Sequence, residues 1–155
     1  MSIDLLVVGK TNVGFVQAGI DEYFKRLKKY IKFDIIVLPD VKNVSSVQQQ
    51  VQKEGELILQ AVSSYDYVVL LDEKGTHRTS EEFAEWMQQR ANLSTKRIAF
   101  IIGGAFGFSQ DVYDRVKEKH SLSKMTFSHQ MIRLLFIEQL YRAFTIIRGE
   151  PYHHK

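Results

Sequence analysis

Apolar and polar positions along this chain switch repeatedly between two periods. Residues 3–8 form an apolar run, interrupted at Asp4 and closed by Gly9, the pattern of a buried strand. Val16, Ile20, Tyr23, Leu27 and Tyr30 then recur three or four apart, which predicts an amphipathic helix over 15–30. A β-branched stretch at 33–38, halted by Pro39, predicts a second strand. Val47, Val51, Ile58 and Ala61 mark one face of a helix over roughly 45–62. Residues 67–71 predict a third buried strand, ended by Asp72-Glu73-Lys74-Gly75. Thr79 and Glu82 have the spacing of a capping box, and Phe83, Trp86 and Met87 stripe the helix that follows. Residues 97–102 predict a fourth strand, and Ser109 is the N-cap of a helix expected to run through Glu118. Residues 122–127 read as a short fifth strand or extended loop, and the last helix spans about 129–148.

Strand and helix alternate throughout. This predicts an α/β fold with a mostly parallel sheet and helices on both faces. The chain shows no repeat and no linker, so residues 1–155 are expected to form one domain. The last helix stands apart. Met131, Ile132, Leu134, Leu135, Phe136, Ile137, Leu140, Tyr141, Phe144, Ile146 and Ile147 point in nearly every direction around it. A helix that is apolar all round is buried all round, so a second subunit is expected to cover what the sheet cannot. One polar line interrupts it: Glu138, Arg142 and Thr145. This is either an ordinary ion pair or an arginine presented into a site at a subunit interface.

Composition narrows the chemistry. There is no cysteine, which excludes disulfides, cysteine-ligated metals and a cysteine nucleophile. The N-terminus lacks the pattern of a signal peptide, and no apolar run approaches the ~18 residues of a membrane span, so a cytoplasmic protein is expected. The net charge of +3 says little, but its distribution says more. Lys25, Arg26, Lys28, Lys29 and Lys32 form one basic group; Lys124, Arg133, Arg142, Arg148 and Lys155 dominate the C-terminal end. Such groups neutralise phosphates or simply form a solvated face.

Several motifs fail on inspection. Gly9-Lys10-Thr11 resembles the end of a phosphate-binding loop, but the earlier glycine is missing, since position 4 is Asp4. Gly103-Gly104-Ala105-Phe106-Gly107 lacks the G-x-G-x-x-G spacing and follows a late strand, although its glycines would let a ligand approach the backbone. The five histidines show no metal-ligand spacing, and there is no G-x-S-x-G elbow. The Ser/Thr-rich segment from Ser123 to His129 opens the last helix, with Ser128 as its cap.

Several segments together resemble the RlmH (YbeA-like) family of SPOUT-class methyltransferases, over essentially the whole chain. They are VVGK (7–10), EYFKR (22–26), KEGE (53–56), LLDEKG (70–75), FIIGGAFG (100–107), SLSKMTFSHQMIRLLFIEQLYRAF (121–144) and the terminal PYHHK. The resemblance implies a SPOUT fold with a C-terminal trefoil knot and a homodimer. It implies methylation of N3 of a pseudouridine in 23S ribosomal RNA of the large subunit, with S-adenosyl-L-methionine held bent between three loops and no metal. The cofactor residues carried over are Leu71 with its following turn, Gly103 and Gly104, with Ser123, Lys124, Met125, Thr126, Phe127 and Ser128. The family usually carries Pro where this chain has Ser128.

The resemblance also makes the C-terminal polar groups candidates for catalysis. Arg142 stays protonated, so it serves as a donor to a developing imide anion and not as a base. His153 is the candidate proton acceptor, because imidazole takes protons near neutral pH; His129 is a second candidate. Tyr152 would stack on or hydrogen-bond the base. Lys10, Lys25, Arg26, Lys124 and Arg133 are the expected phosphate contacts. Two other readings remain open: a ribosome-associated RNA-binding module that keeps the fold without catalysis, and a different nucleotide-dependent enzyme on a Rossmann-like sheet.

Overall fold

The computed structural model describes residues 1–154; Lys155, counted above among the basic residues, lies outside them. Five strands form the sheet: β1 (Ser2–Val8), β2 (Lys32–Leu38), β3 (Tyr67–His77), β4 (Arg97–Ile102) and β5 (Glu118–Ser121). Their order is β2-β1-β4-β3-β5, and every pairing is parallel. Five helices connect or follow them: α1 (Gly14–Leu27), α2 (Val47–Ala61), α3 (Ser80–Asn92), α4 (Gln110–Arg115) and α5 (Met131–Ile147).

Side chains alternate across each strand, so the sheet divides the apolar residues into two layers. Ile3, Leu5, Val7, Val69, Ile98, Phe100 and Ile102 face α1, α3 and α5. Leu6, Val8, Leu38, Leu70, Ala99 and Ile101 face α2 and α4. Helices cover both faces, as the unbroken apolar runs require. The capping box forms as the sequence predicts. Glu82 N–H donates to Thr79 Oγ1 (3.1 Å), and Thr79 N–H donates to Glu82 Oε2 (2.7 Å).

Three expectations change. β3 does not end at Leu71. It bulges through the acidic turn and resumes, pairing Thr76 with His120 and His77 with Ser121. Lys74 N–H donates to Asp72 Oδ1 (2.9 Å), which holds the bulge. Gly75 is required there, because a Cβ would lie 2.6 Å from the Lys119 carbonyl carbon. The fifth strand is the polar segment Glu118–Ser121, and residues 122–127 form a loop. α4 is correspondingly shorter than expected. Ser109 caps it, but the chain turns extended at Val116 to reach β5.

The third change concerns α5. Phe136, Ile137, Leu140 and Ala143 are buried against the sheet. α1 and α3 flank the helix and take much of its remaining apolar surface. Leu134 packs so closely on Gly19 of α1 that a Cβ there would lie 2.8 Å from Leu134 Cδ2. Tyr141 meets the rings of Tyr23 and Tyr30 at 5.9 and 5.7 Å. Neighbours within the chain thus do part of the covering assigned above to a second subunit.

Candidate active site

The sheet carries its cleft at the carboxyl ends of β3, β4 and β5. The bulge after Leu71, the glycine turn after Ile102 and the loop after Ser121 enclose about 410 Å³, ample for a nucleoside-sized ligand. Leu71, Gly103, Gly104, Ser123, Met125, Thr126 and Phe127 all line it, as expected. Lys124 and Ser128 do not. Lys124 is exposed, and Ser128 acts at the head of α5, where its Oγ accepts from Met131 N–H (3.1 Å).

The loops are tied to one another. Thr126 Oγ1 donates to Glu73 Oε2 (2.5 Å), joining the β5 loop to the β3 bulge. Tyr113 donates to Asp72, and burial together with that carboxylate pushes the phenol well above its ordinary pKa. Ser121 Oγ donates to the Ser123 carbonyl (2.8 Å), and Met125 N–H donates to Ser123 Oγ (3.0 Å). The glycine turn rests on a buried carboxylate: a Cβ on Gly104 would lie 2.6 Å from Glu54 Oε1. Glu54 is 4% exposed, accepts from Gln50 Nε2 (3.2 Å), and has its pKa raised by burial.

The turn after Leu71 lines the cleft at Asp72, Glu73 and Lys74, and Tyr113 and His120, which no sequence motif marked, line it too. Tyr113 was legible only as part of a helix, and His120 fell between that helix and the strand or loop expected at 122–127. His129, the second proton-acceptor candidate, lines the cleft, and burial lowers its pKa.

Arg142, Tyr152 and His153 come together elsewhere. None of the three lines the cleft. Arg142 follows the cleft residue Ile132 by ten positions on α5, about 15 Å along the axis. Glu138 Oε1 accepts from Arg142 Nε (3.1 Å) and Nη2 (2.6 Å), and also from the Tyr152 hydroxyl (3.0 Å). The Arg142 guanidinium lies 4.7 Å from the Tyr152 ring centroid. Tyr152 is further joined to Tyr23 (3.2 Å between hydroxyls), and its pKa is raised by burial and by these partners. His153 has both nitrogens engaged. Nδ1 accepts from Arg142 Nη1 (3.2 Å), because a guanidinium only donates, so Nε2–H faces Glu81. Thr145, the third member of the polar line, is buried and donates to the Arg142 carbonyl (2.7 Å).

The basic residues divide. Lys10, Lys25 and Lys124 are exposed. Arg26 pairs with Glu22 (2.9 Å) and lies over the Tyr23 ring. Arg133 is not a phosphate contact. It is 1% exposed, and its guanidinium donates to the carbonyls of Val8 (2.8 Å), Gly9 (2.9 Å) and His129 (3.1 Å) and to Thr11 Oγ1 (3.0 Å). An arginine in an apolar helix reads as an anion site in sequence; here it pins the β1–α1 loop onto α5. Among the described residues no cluster of His, Asp or Glu is placed to hold a metal ion. No helix among them is long and apolar enough to cross a membrane.

Comparison with known proteins bears on this geometry. The family described as "Predicted SPOUT methyltransferase" matches residues 1–153. A protein of Parabacteroides distasonis named "Ribosomal RNA large subunit methyltransferase H" is 54% identical over 157 aligned positions, covering 100% of both chains. A solved methylase-family protein of Haemophilus influenzae superposes with a TM-score of 0.57 at 16% identity, over 97% of this chain and 69% of its own. A protein of Legionella pneumophila described as a "putative methyltransferase", solved with bound SAM, gives a TM-score of 0.50 at 11% identity, over 92% of this chain and 66% of its own.

Proposed function

The chain belongs to the SPOUT methyltransferases, and from that membership we propose that it methylates N3 of a pseudouridine in large-subunit ribosomal RNA, using S-adenosylmethionine and acting in the cytoplasm as a homodimer. The three-loop cleft supports this reading most directly. It offers backbone at Gly103 and Gly104, a buried carboxylate behind them, and a volume suited to a nucleoside. Leu71, Gly103, Gly104, Ser123, Met125, Thr126 and Phe127 would hold the cofactor. S-adenosylmethionine bound there supplies a methyl group on a positively charged sulfur, which is electrophilic without a metal.

The residues of α5 and the tail act on the acceptor base. Glu138 Oε1 accepts from Arg142 Nε and Nη2 and leaves Nη1 on His153. Turning Nη1 onto the uracil-like edge gives the developing imide anion a charged donor. The same movement frees His153 Nδ1 to take the N3 proton, while Glu81 steadies the imidazolium at Nε2. Tyr152 offers an aromatic edge beside the base. Lys10, Lys25, Arg26 and Lys124 meet phosphates.

The cleft and this group lie far apart on one helix. In the proposed homodimer the Arg142 group of one chain would meet the cleft of the other, which would unite the two halves of the site. The test is transfer of labelled methyl from S-adenosylmethionine to bacterial large subunits or assembled ribosomes lacking the modification. The product nucleoside is identified by mass spectrometry. N3-methylpseudouridine is expected. Cofactor binding without transfer to either particle would contradict the proposed reaction.

A further inference from the structure

His120 lies on β5 beside Leu71, in parallel register with it, and lines the cleft. It is 3% exposed. Its ring stacks on Phe83 with centroids 4.7 Å apart and planes 18° from parallel, so the imidazole is fixed in orientation. Arg78 Nη1 lies 3.2 Å from Nδ1. A guanidinium donates and never accepts, so Nδ1 is the unprotonated nitrogen of a neutral ring. The proton is therefore on Nε2. Burial, then the charges of Arg78 and His77, push the pKa down to about 4, so the ring is neutral at working pH. Arg78 is itself paired with Glu118 (3.5 Å), which holds the guanidinium in place against the ring.

Nε2–H has no hydrogen-bond partner among the described residues, yet it is not one of the side-chain atoms sealed away from solvent without a partner. A purely structural histidine would need only the Arg78 contact. His120 lines the cleft, and its Nε2–H is a second donor held by a ring that Arg78 and Phe83 fix in place. We propose that His120 donates its Nε2–H to an acceptor of bound S-adenosylmethionine, with Arg78 locking the tautomer that makes the donation possible. The inference rests on the cofactor reading above and assigns that site a binding residue outside its three loops.

The test is binding and spectroscopy on the full chain. Titration calorimetry with S-adenosylmethionine compares the wild type with His120→Leu and His120→Gln. His120→Leu is expected to bind about tenfold more weakly, the scale of one oriented hydrogen bond at a buried site. His120→Gln places an amide N–H near the Nε2 position and should recover part of the loss. Imidazole 15N spectra of the wild type should show His120 with Nδ1 unprotonated and Nε2 protonated, and the Nε2 signal should move when the cofactor is added. That spectrum needs no variant, so it stands even if His120→Leu folds poorly. An unshifted Nε2 signal in a cofactor-saturated wild type would overturn the inference and leave the cofactor reading intact. No binding by the wild type would overturn both.

Discussion

At the carboxyl ends of β3, β4 and β5 the cleft is walled by backbone, glycines and side chains that tie one loop to another. At the far end of α5 the polar groups are side chains that have already found one another. Arg142, Glu138, Tyr152, His153 and Glu81 form one continuous chain of contacts. The contrast matches two kinds of task. A cofactor of fixed shape is held by a rigid frame that needs no rearrangement. The proposed reaction requires a proton to move, and a network of exchangeable partners would allow Arg142 to leave His153 for the substrate. The buried arginine belongs to the first kind: Arg133 holds the frame, and Arg142, less than three turns away, is the arginine that the proposed reaction would use.

The largest effect expected from separating these regions is on turnover. Arg142→Ala should lower methyl transfer by more than about a hundredfold, the scale of a lost charged donor at a developing anion. Cofactor affinity by calorimetry should stay nearly unchanged, because Arg142 does not line the cleft. Deleting the tail after Gly149 should do the same, since Tyr152 and His153 go with it. A fully active Arg142→Ala enzyme would remove this residue from the mechanism.

Arg133 sharpens the comparison from the other side. Arg133→Met should destabilise the fold by about 3 kcal/mol in denaturant titrations, since it strands carbonyls at Val8, Gly9 and His129. A phosphate contact would behave oppositely, leaving stability unchanged and weakening RNA binding in a salt-dependent way.

A smaller effect is expected from acid. His120 has its pKa lowered to about 4 in the folded chain, through burial and the neighbouring Arg78 and His77, with Glu118 paired to Arg78. Between that value and the ordinary histidine pKa of about 6.5, the unfolded chain takes up a proton that the folded chain refuses. The stability from a neutral His120 is therefore whole above about pH 6.5 and falls as the pH drops towards 4. The slope is at most about 1.4 kcal/mol per pH unit. Thermal or urea unfolding between pH 7 and 4 should show a shallower decline in His120→Gln than in the wild type; equal slopes would contradict the assignment.

Least is expected from Ser128→Pro. The change removes an Oγ that accepts from Met131 N–H and costs about 1 kcal/mol of capping. Proline offsets most of that by restricting the unfolded chain. A midpoint shift within about 0.5 kcal/mol is expected, with the cofactor affinity of the wild type.

The fold was largely legible because its strands are buried on both faces and its helices carry one apolar stripe. β4 begins and ends where the sequence puts it, and the capping box starts α3 at the predicted place. The failures share one cause, pairing between distant segments. Asp72-Glu73-Lys74-Gly75 does form a turn locally, but β3 resumes beyond it because β5 offers a partner at His120 and Ser121. β5 itself is an edge strand with the polar sequence Glu-Lys-His-Ser, so no apolar period announced it.

The site divided in the same way. Gly103, Gly104 and the loop from Ser123 to Phe127 could be read as backbone-rich elements at one sheet end. Tyr113 and His120 could not, because each reaches the cleft only through its position beside another strand or loop. Arg133 was misread because its acceptors are backbone carbonyls near the other end of the chain.

The central claim is that the cleft of one copy works with the Arg142 group of another. Mixing two inactive chains tests it most directly. One carries Arg142→Ala with an intact cleft. The other carries Gly104→Glu, which sets a second carboxylate against Glu54 and should abolish cofactor binding while leaving Arg142 in place. After unfolding and refolding together, half the dimers should be mixed, each with one complete site. Methyl transfer should return to about a quarter of the wild-type rate. If mixed dimers form, as shown by native mass spectrometry, and no activity returns, the two halves of the site do not meet across copies.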